Sequence, residues 1–474
     1  MWAKTTCKEL LSLWLEEDLN VLRHLYTWKV TTNQRSGKVN FHMERRYFIK
    51  KFITTLATVP LLSKVWHEPF LPVPDLAYGA AKSQDQGNSW ESIRNKFLLK
   101  PGLIYLNCGS LGPSPRPVVD AVCSAMFKLE GNPAHEYWGE MDRAVETVRA
   151  RVAELVRANG DEIALIRNTT EGMNAVATGL KLKAGDEVLT SNHEHGGGMM
   201  CWQHLAKHFG AKVICLEIPN PVRNKEQIVQ LVEDHITPNT RVCSFSHVDT
   251  ITGMQMPLAD IARITRPKGI VLVCDGAQAL GMLNVDVKAL GVDTYAASGH
   301  KWLLGPKGTG ILYIRKEIQE RIQPVLLHSG YKAYSASVGT RGFPQFLGLG
   351  AAIDLQNAIG RKRVETRCRE LGLLLRERLQ LTPALQLITP EESEMSSGIV
   401  TFAVDKKIGN SNHIINKLYK SHNIAAKKAQ CTYSCVSGDD FYRKNYNALR
   451  FSTHIFNSEA EIEQTAAILS DLLV

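Results

Sequence analysis

Between residues 141 and 314 the chain alternates short apolar runs with amphipathic stretches, and each apolar run stops at small polar residues. Val271-Leu272-Val273-Cys274 stops at Asp275-Gly276. An unbroken apolar run of this length is the signature of a strand buried on both faces. Thr294 to Ser298 reads as the next strand, and it ends at His300-Lys301. Upstream, the same pattern predicts strands at Ile163–Arg167, Glu187–Thr190, Val213–Ile218 and Arg241–His247. Helical spacing is predicted at Met141–Val156, from Asn168 onward, from Trp202, at Lys225–His235 and at Leu258–Thr265. Ile311 to Ile314 closes the series. Strands alternating with helices predict an α/β fold, a mostly parallel sheet of the seven-stranded type with helices on both faces.

The flanks are organised differently. Trp90 to Lys100 predicts a short helix leading to Ile104-Tyr105-Leu106-Asn107, a strand that breaks into a Gly/Ser/Pro turn. Pro117 to Leu129 reads as helix and Asn132 to Tyr137 as a loop. Beyond a loop-rich region at His328–Arg341, Phe346 to Leu373 predicts a long, partly broken helix. The segments from Ile399 onward suggest a smaller α+β domain. The expected organisation is an arm over 90–115, a large domain over 116–335, and an interdomain helix with the small domain over 336–474.

With 474 residues the chain is long enough for two domains. The net charge of +9 comes from basic residues that are spread out, apart from Arg45 to Lys51, so no nucleic-acid partner is indicated. The 10 cysteines form no CxxC pair, which leaves no signal for zinc or for a disulfide framework. Residues 1–42 read as an extension of uncertain status, Met43 being an alternative start. Over 43–81, Arg45-Arg46, the short apolar run Phe52–Leu62 and the small residues Ala77–Ala81 resemble a twin-arginine export signal. That implies a periplasmic enzyme; the alternative is an amphipathic amino-terminal helix on a cytoplasmic one. The apolar run is too short for a stable membrane span.

Candidate chemistry gathers where the strands end. Lys301 lies between Gly299-His300 and Trp302-Leu303-Leu304, ahead of a glycine-rich turn. Apolar bulk around an amine lowers its pKa and favours imine chemistry. Asp275, at the end of a buried strand, needs a cationic partner. Taken singly, the two would serve equally as a helix start and a cap. Asn168-Thr169-Thr170-Glu171 offers hydroxyls and free N–H groups at a helix start, suited to a phosphate or simply to a capping box. Ser191-Asn192-His193-Glu194-His195 precedes three glycines, and its histidines either face a site or bond within the loop. Arg450, in Asn447–His454, is a carboxylate grip or a surface ion pair.

Asp275, Gln278 and Ser298-Gly299-His300-Lys301 resemble the class V family of fold-type I enzymes dependent on pyridoxal 5'-phosphate, over roughly 95–474. The resemblance makes Lys301 the covalent attachment point and catalytic base. It pairs Asp275 with the pyridine nitrogen and Gln278 with the 3-hydroxyl, and gives Ser298, His300, Thr169 and Thr170 to the phosphate. It implies that His195 stacks on the ring, that Arg450 grips the substrate α-carboxylate with Asn107 bordering it, and that Thr340 reaches a partner subunit's phosphate. An obligate homodimer acting on an amino acid or cysteine conjugate follows. The Asn168–Asn174 run, the His-Glu loop and the Arg450 stretch resemble the isopenicillin N epimerase branch. An epimerase-like reaction at Cα is therefore expected. A C–S lyase or cysteine desulfurase is the alternative, although the surroundings of Cys435 depart from the RxGxxC-type context of desulfurases. A non-catalytic dimeric scaffold is the alternative from another class.

Overall fold

Buried strands with continuous apolar faces assemble one seven-stranded sheet. In the computed structural model the described residues are 89–324, 339–429 and 446–473, with the backbone of Thr31–Thr32, Val39–Asn40, Thr432–Ser434 and Tyr442–Lys444. The chain divides into two units, Met1–Ala77 and Tyr78–Val474. In the first, Thr31–Thr32 pairs antiparallel with Val39–Asn40. The export-signal stretch and Cys435 lie outside the described residues, as does most of His328–Arg341.

In the second unit, β1 (Ile104–Tyr105) and α1 (Arg116–Gly131) precede α2 (Asp142–Val156). There follow β2 (Ile163–Ile166), α3 (Thr169–Gly179), β3 (Glu187–Ser191), α4 (Gly196–Phe209), β4 (Lys212–Leu216) and α5 (Lys225–Asp234). Next come β5 (Thr240–Ser246), α6 (Leu258–Thr265), β6 (Val271–Asp275), β7 (Thr294–Ser298) and β8 (Gly310–Ile314). The strand order is β2-β8-β7-β6-β5-β3-β4. β8 runs antiparallel to both its neighbours, and the other pairings are parallel. Every residue of β6 and of β7 is buried, the polar Asp275, Thr294 and Ser298 at their ends included. The carboxyl ends of β2, β3, β5, β6 and β7 therefore share one edge of the sheet, where an open α/β fold places its ligands.

Two local expectations change. Asn132–Tyr137 is not a loop: Pro133–Glu136 is helical and continues through a π-helical turn, Tyr137–Met141, into α2. The break expected within the long helix falls at Gly360, whose φ is +96°, and separates α7 (Phe343–Ile359) from α8 (Arg361–Leu379).

The carboxyl-terminal elements are β9 (Leu385–Leu387), β10 (Ile399–Val404), α9 (Ser411–His422), β11 (Ile424–Ala425), β12 (Lys427–Lys428), β13 (Ala448–Ser452) and α10 (Glu459–Leu472). They form an antiparallel sheet in the order β9-β10-β13-β12. Phe402 and Phe451 of this sheet pack on Leu371 and Leu375 of α8 and Ile462 and Leu469 of α10, a core separate from that of the large sheet. The amino-terminal arm joins this layer: β1 pairs parallel with β11, and Ser452 N–H donates to Leu106 O at 2.8 Å. That splice places Asn107 and Ser110 beside β13. Among the described residues no helix is long and apolar enough to cross a membrane.

Candidate active site

A cavity of about 280 Å³ opens at the carboxyl edge of the large sheet, and nine of the residues singled out from the sequence line it. They are Thr169, Thr170, His195, Asp275, Gln278, Ser298, His300, Lys301 and Arg450. Asn107 stands one layer back, against Arg450. Thr340 lines a separate pocket with Arg167, Lys307 and Arg341.

Lys301 follows β7 in a tight turn. Burial drives its amine from the usual 10.5 to about 8; Asp275 opposes the fall and Arg450 adds to it. Asp275 ends β6 and is 4% exposed. Its Oδ1 accepts the Ala277 N–H at 2.9 Å, and among the described residues it has no ion-pair partner. Burial raises its pKa, with Lys301 pulling the other way. A buried carboxylate so placed calls for a cation supplied from within the cavity.

Two helix amino termini meet at the same cavity. Asn168 caps α3, its side chain accepting the Glu171 N–H at 2.9 Å. Ser298 Oγ accepts the Thr169 N–H at 3.0 Å and lies 2.8 Å from Thr169 Oγ1, which ties the end of β7 to the start of α3. α4 begins at Gly196, six residues before the start expected at Trp202, and His195 is its cap, with Nδ1 accepting the Gly197 N–H at 3.0 Å. The glycines permit this approach. A Cβ at position 197 would run into Thr170 Oγ1, and one at 198 would lie 3.0 Å from Asp275 Oδ2. Convergent helix starts with hydroxyls make a ready anion site. His300 borders it with an Nδ1 that is buried and unpartnered, and burial, Lys301 and Lys307 push its pKa down to about 4.

Gln278 is held by chemistry that fixes its amide orientation. Trp302 Nε1, which can only donate, donates to Gln278 Oε1 at 2.8 Å. Gln278 Nε2 therefore faces Gly109 O at 2.9 Å and Thr250 Oγ1 at 3.2 Å.

Arg450 is 1% exposed, so it is no surface ion pair. Its guanidinium donates to Thr250 Oγ1 at 2.6 Å, Thr250 O at 3.1 Å, Ser110 Oγ at 3.1 Å and Asn107 Oδ1 at 3.5 Å, all neutral acceptors. Its Nε has no partner. Burial lowers its pKa to about 10, with Asp249 opposing.

Sequence reasoning misses Lys427 and Ser110, which also line the cavity. Ser110 sits in the turn already noted after Asn107. Lys427-Lys428 carries no signal, because two adjacent lysines in a two-residue strand look like solvated surface. Among the described residues no group of His, Cys, Asp and Glu could hold a metal ion.

The Aminotransferase class-V family model matches residues 104–465. An isopenicillin N epimerase of Amycolatopsis lactamdurans is 30% identical over 406 residues, 81% of this chain and 98% of the relative. A probable cysteine desulfurase of Methanothermobacter thermautotrophicus is 30% identical over 312 residues, 62% of this chain and 75% of the relative. Among solved structures, a lysine mutant of C-DES with glycine covalently linked to its PLP cofactor superimposes with a TM-score of 0.70 at 25% identity, over 80% of this chain and 99% of that one. The complex of the cystine C–S lyase C-DES with cysteine persulfide gives 0.69 at 26%, over 78% and 98%. This chain is an α/β enzyme of the class-V aminotransferase family.

Proposed function

We propose that this chain is a pyridoxal-phosphate enzyme acting at Cα of an amino acid, in the manner of an epimerase. The observation that carries the reading is Lys301, a largely buried amine brought to about 8, sharing one cavity with the buried Asp275 and the buried Arg450. The cavity fits the cofactor on chemical grounds. Asp275 without an ion pair suits a protonated pyridine. The helix starts at Thr169–Thr170 and Gly197, with Ser298 and the unpartnered His300 Nδ1, suit a phosphate. When bound, pyridoxal phosphate supplies an electron sink for charge developing at Cα.

The chain's own groups then divide the work. Asp275 keeps the pyridine nitrogen protonated. Lys301, as a free amine, would remove the proton at Cα, and a proton delivered to the opposite face would complete the inversion. Arg450 holds the α-carboxylate, its fork pre-set by Thr250, Ser110 and Asn107. His195, its Nδ1 committed to Gly197, carries its proton on Nε2 and is assigned the ring face opposite Lys301. Gln278 is assigned to the 3-hydroxyl, for which its Nε2 would exchange the 3.2 Å contact with Thr250 Oγ1. Thr340, outside this cavity, is assigned to the phosphate of a partner subunit in a homodimer.

Only the neutral amine attacks an aldehyde, so attachment of pyridoxal phosphate to cofactor-free protein should accelerate as pH rises to about 8 and level off above it. Stopped-flow absorbance reads this directly. A rate still climbing towards 10.5 would mean an unshifted lysine.

A C–S lyase is the second reading, favoured by the likeness to the cystine C–S lyase C-DES. A desulfurase needs a mobile thiol as well. Cys108, whose Sγ lies 3.6 Å from Lys301 O, is fully buried with its pKa pushed well up, which suits packing and not attack. The deciding experiment offers L- and D-amino acids and cysteine conjugates to the holoenzyme in deuterated water, with mass and chiral analysis of products. Inverted, deuterated Cα with an intact side chain is the expected result. Pyruvate, ammonia and a released thiol would replace the epimerase reading with the lyase.

A further inference from the structure

Lys427 and Arg450 stand directly opposite one another across the antiparallel β12–β13 pair. Side chains at such positions lie on one face of the sheet, with Cβ atoms about 5 Å apart. Both side chains line the cavity that holds Lys301. Two cations facing each other in this way destabilise a sheet unless something negative lies between them.

Among the described residues nothing negative does so. Neither residue forms an ion pair among the described residues, and the four acceptors around Arg450 are neutral oxygens. Arg450 Nε is buried without a partner. Asp249, whose charge is felt at Arg450, has its oxygens taken up by the N–H groups of Ile251, Thr252 and Met254 and by Thr252 Oγ1. Among the described residues Asp275 is the one carboxylate lining the cavity, and it is assigned to the pyridine nitrogen.

We propose that Lys427 and Arg450 form a two-point anion clamp that selects an amino acid carrying a second carboxylate on its side chain. The proposal rests on the reading given under Proposed function and names the substrate class for it. Charge matching carries the argument. A substrate α-carboxylate neutralises Arg450, whose planar fork suits it. Lys427 then remains a half-buried cation, its amine held near 8 by burial first and by Arg450 and Lys301 next. A distal carboxylate satisfies it, and a flexible ammonium stem adjusts to side chains of different length.

The test is calorimetric titration of protein reconstituted with pyridoxal phosphate, using succinate and glutarate against butyrate. The wild type should bind at least one dicarboxylate about 10-fold or more tightly than butyrate. Lys427→Gln should remove that advantage and leave butyrate unchanged, while Lys427→Arg should restore much of it. Retention of the bound-cofactor absorbance shows that each variant is folded. Equal losses for butyrate and the dicarboxylates would mean that both cations share one carboxylate, and would overturn the proposal. So would the absence of any dicarboxylate preference in the wild type. The same titrations on cofactor-free protein keep the two readings apart. A chain that takes up no pyridoxal phosphate overturns the functional reading, yet the clamp must still discriminate there.

Discussion

Lys301→Ala should lower turnover by at least about 10³-fold, because on the proposed function it removes both the proton carrier at Cα and the covalent tether of the cofactor. Dialysed mutant protein should be colourless where the wild type is yellow. The fold should survive. Lys301 is a largely buried amine whose desolvation opposes folding, and it donates no side-chain hydrogen bond within the described structure, so its removal orphans no partner. The check is visible absorbance after dialysis, followed by turnover on whichever substrate the product screen identifies. A mutant that keeps the band and most of its activity would remove Lys301 from the chemistry altogether.

Asp275→Asn should lower kcat by about 10²–10³-fold while leaving the phosphate contacts able to hold the cofactor. Asparagine keeps an oxygen for the Ala277 N–H, so the turn after β6 retains its bond and thermal stability should change little. What disappears is the negative charge. A neutral amide cannot hold a proton on the pyridine nitrogen, and the electron sink weakens. The substitution also acts on Lys301. The Asp275 carboxylate raises the Lys301 pKa against the effect of burial, so its removal should move the rise in the attachment profile to lower pH. A drop in kcat without that shift would indicate that the two groups do not sense each other. A large loss of melting temperature would indicate a structural role instead.

The two residues at the centre of these expectations are legible in the sequence, and the reason is local. A strand buried on both faces must be apolar throughout, so the first charged residue after Val271–Cys274 has to mark the strand's exit at the sheet edge. Lys301 lies just past the end of the next buried strand, Thr294–Ser298. Asn168 and the hydroxyls after it announce a helix start by the chemistry of capping. Where local chemistry is ambiguous, the sequence misleads. Gly196-Gly197-Gly198 looks like loop because glycine is a poor helix former. It is the first turn of α4, since at 197 a side chain would collide with Thr170 and at 198 it would crowd Asp275.

Arg450 shows the boundary from the other side. Its sequence context permits a surface ion pair. Only the packing of β13 between β10 and β12, with the arm laid alongside, buries it against Thr250, Ser110 and Asn107. These contacts join segments 200 to 343 residues apart. No periodicity reports a pairing of that separation. Lys427 is the sharper case, because a two-residue strand has no pattern to read. Its partner is set by register, and register here is fixed by the hydrophobic faces of other strands.

The sequence alone therefore determined the α/β alternation, the strand exits, the cap of α3 and the placing of Lys301 and Asp275 at strand ends. Each of these is dictated by which side chains neighbouring residues can bury or satisfy. Tertiary structure decided which distant groups converge: the arm on β13, Lys427 opposite Arg450, His195 as the cap of α4, and Thr340 in a pocket apart from Lys301. Convergence depends on sheet register and layer packing, which are set by the summed burial of many side chains and are written in no single stretch of the chain.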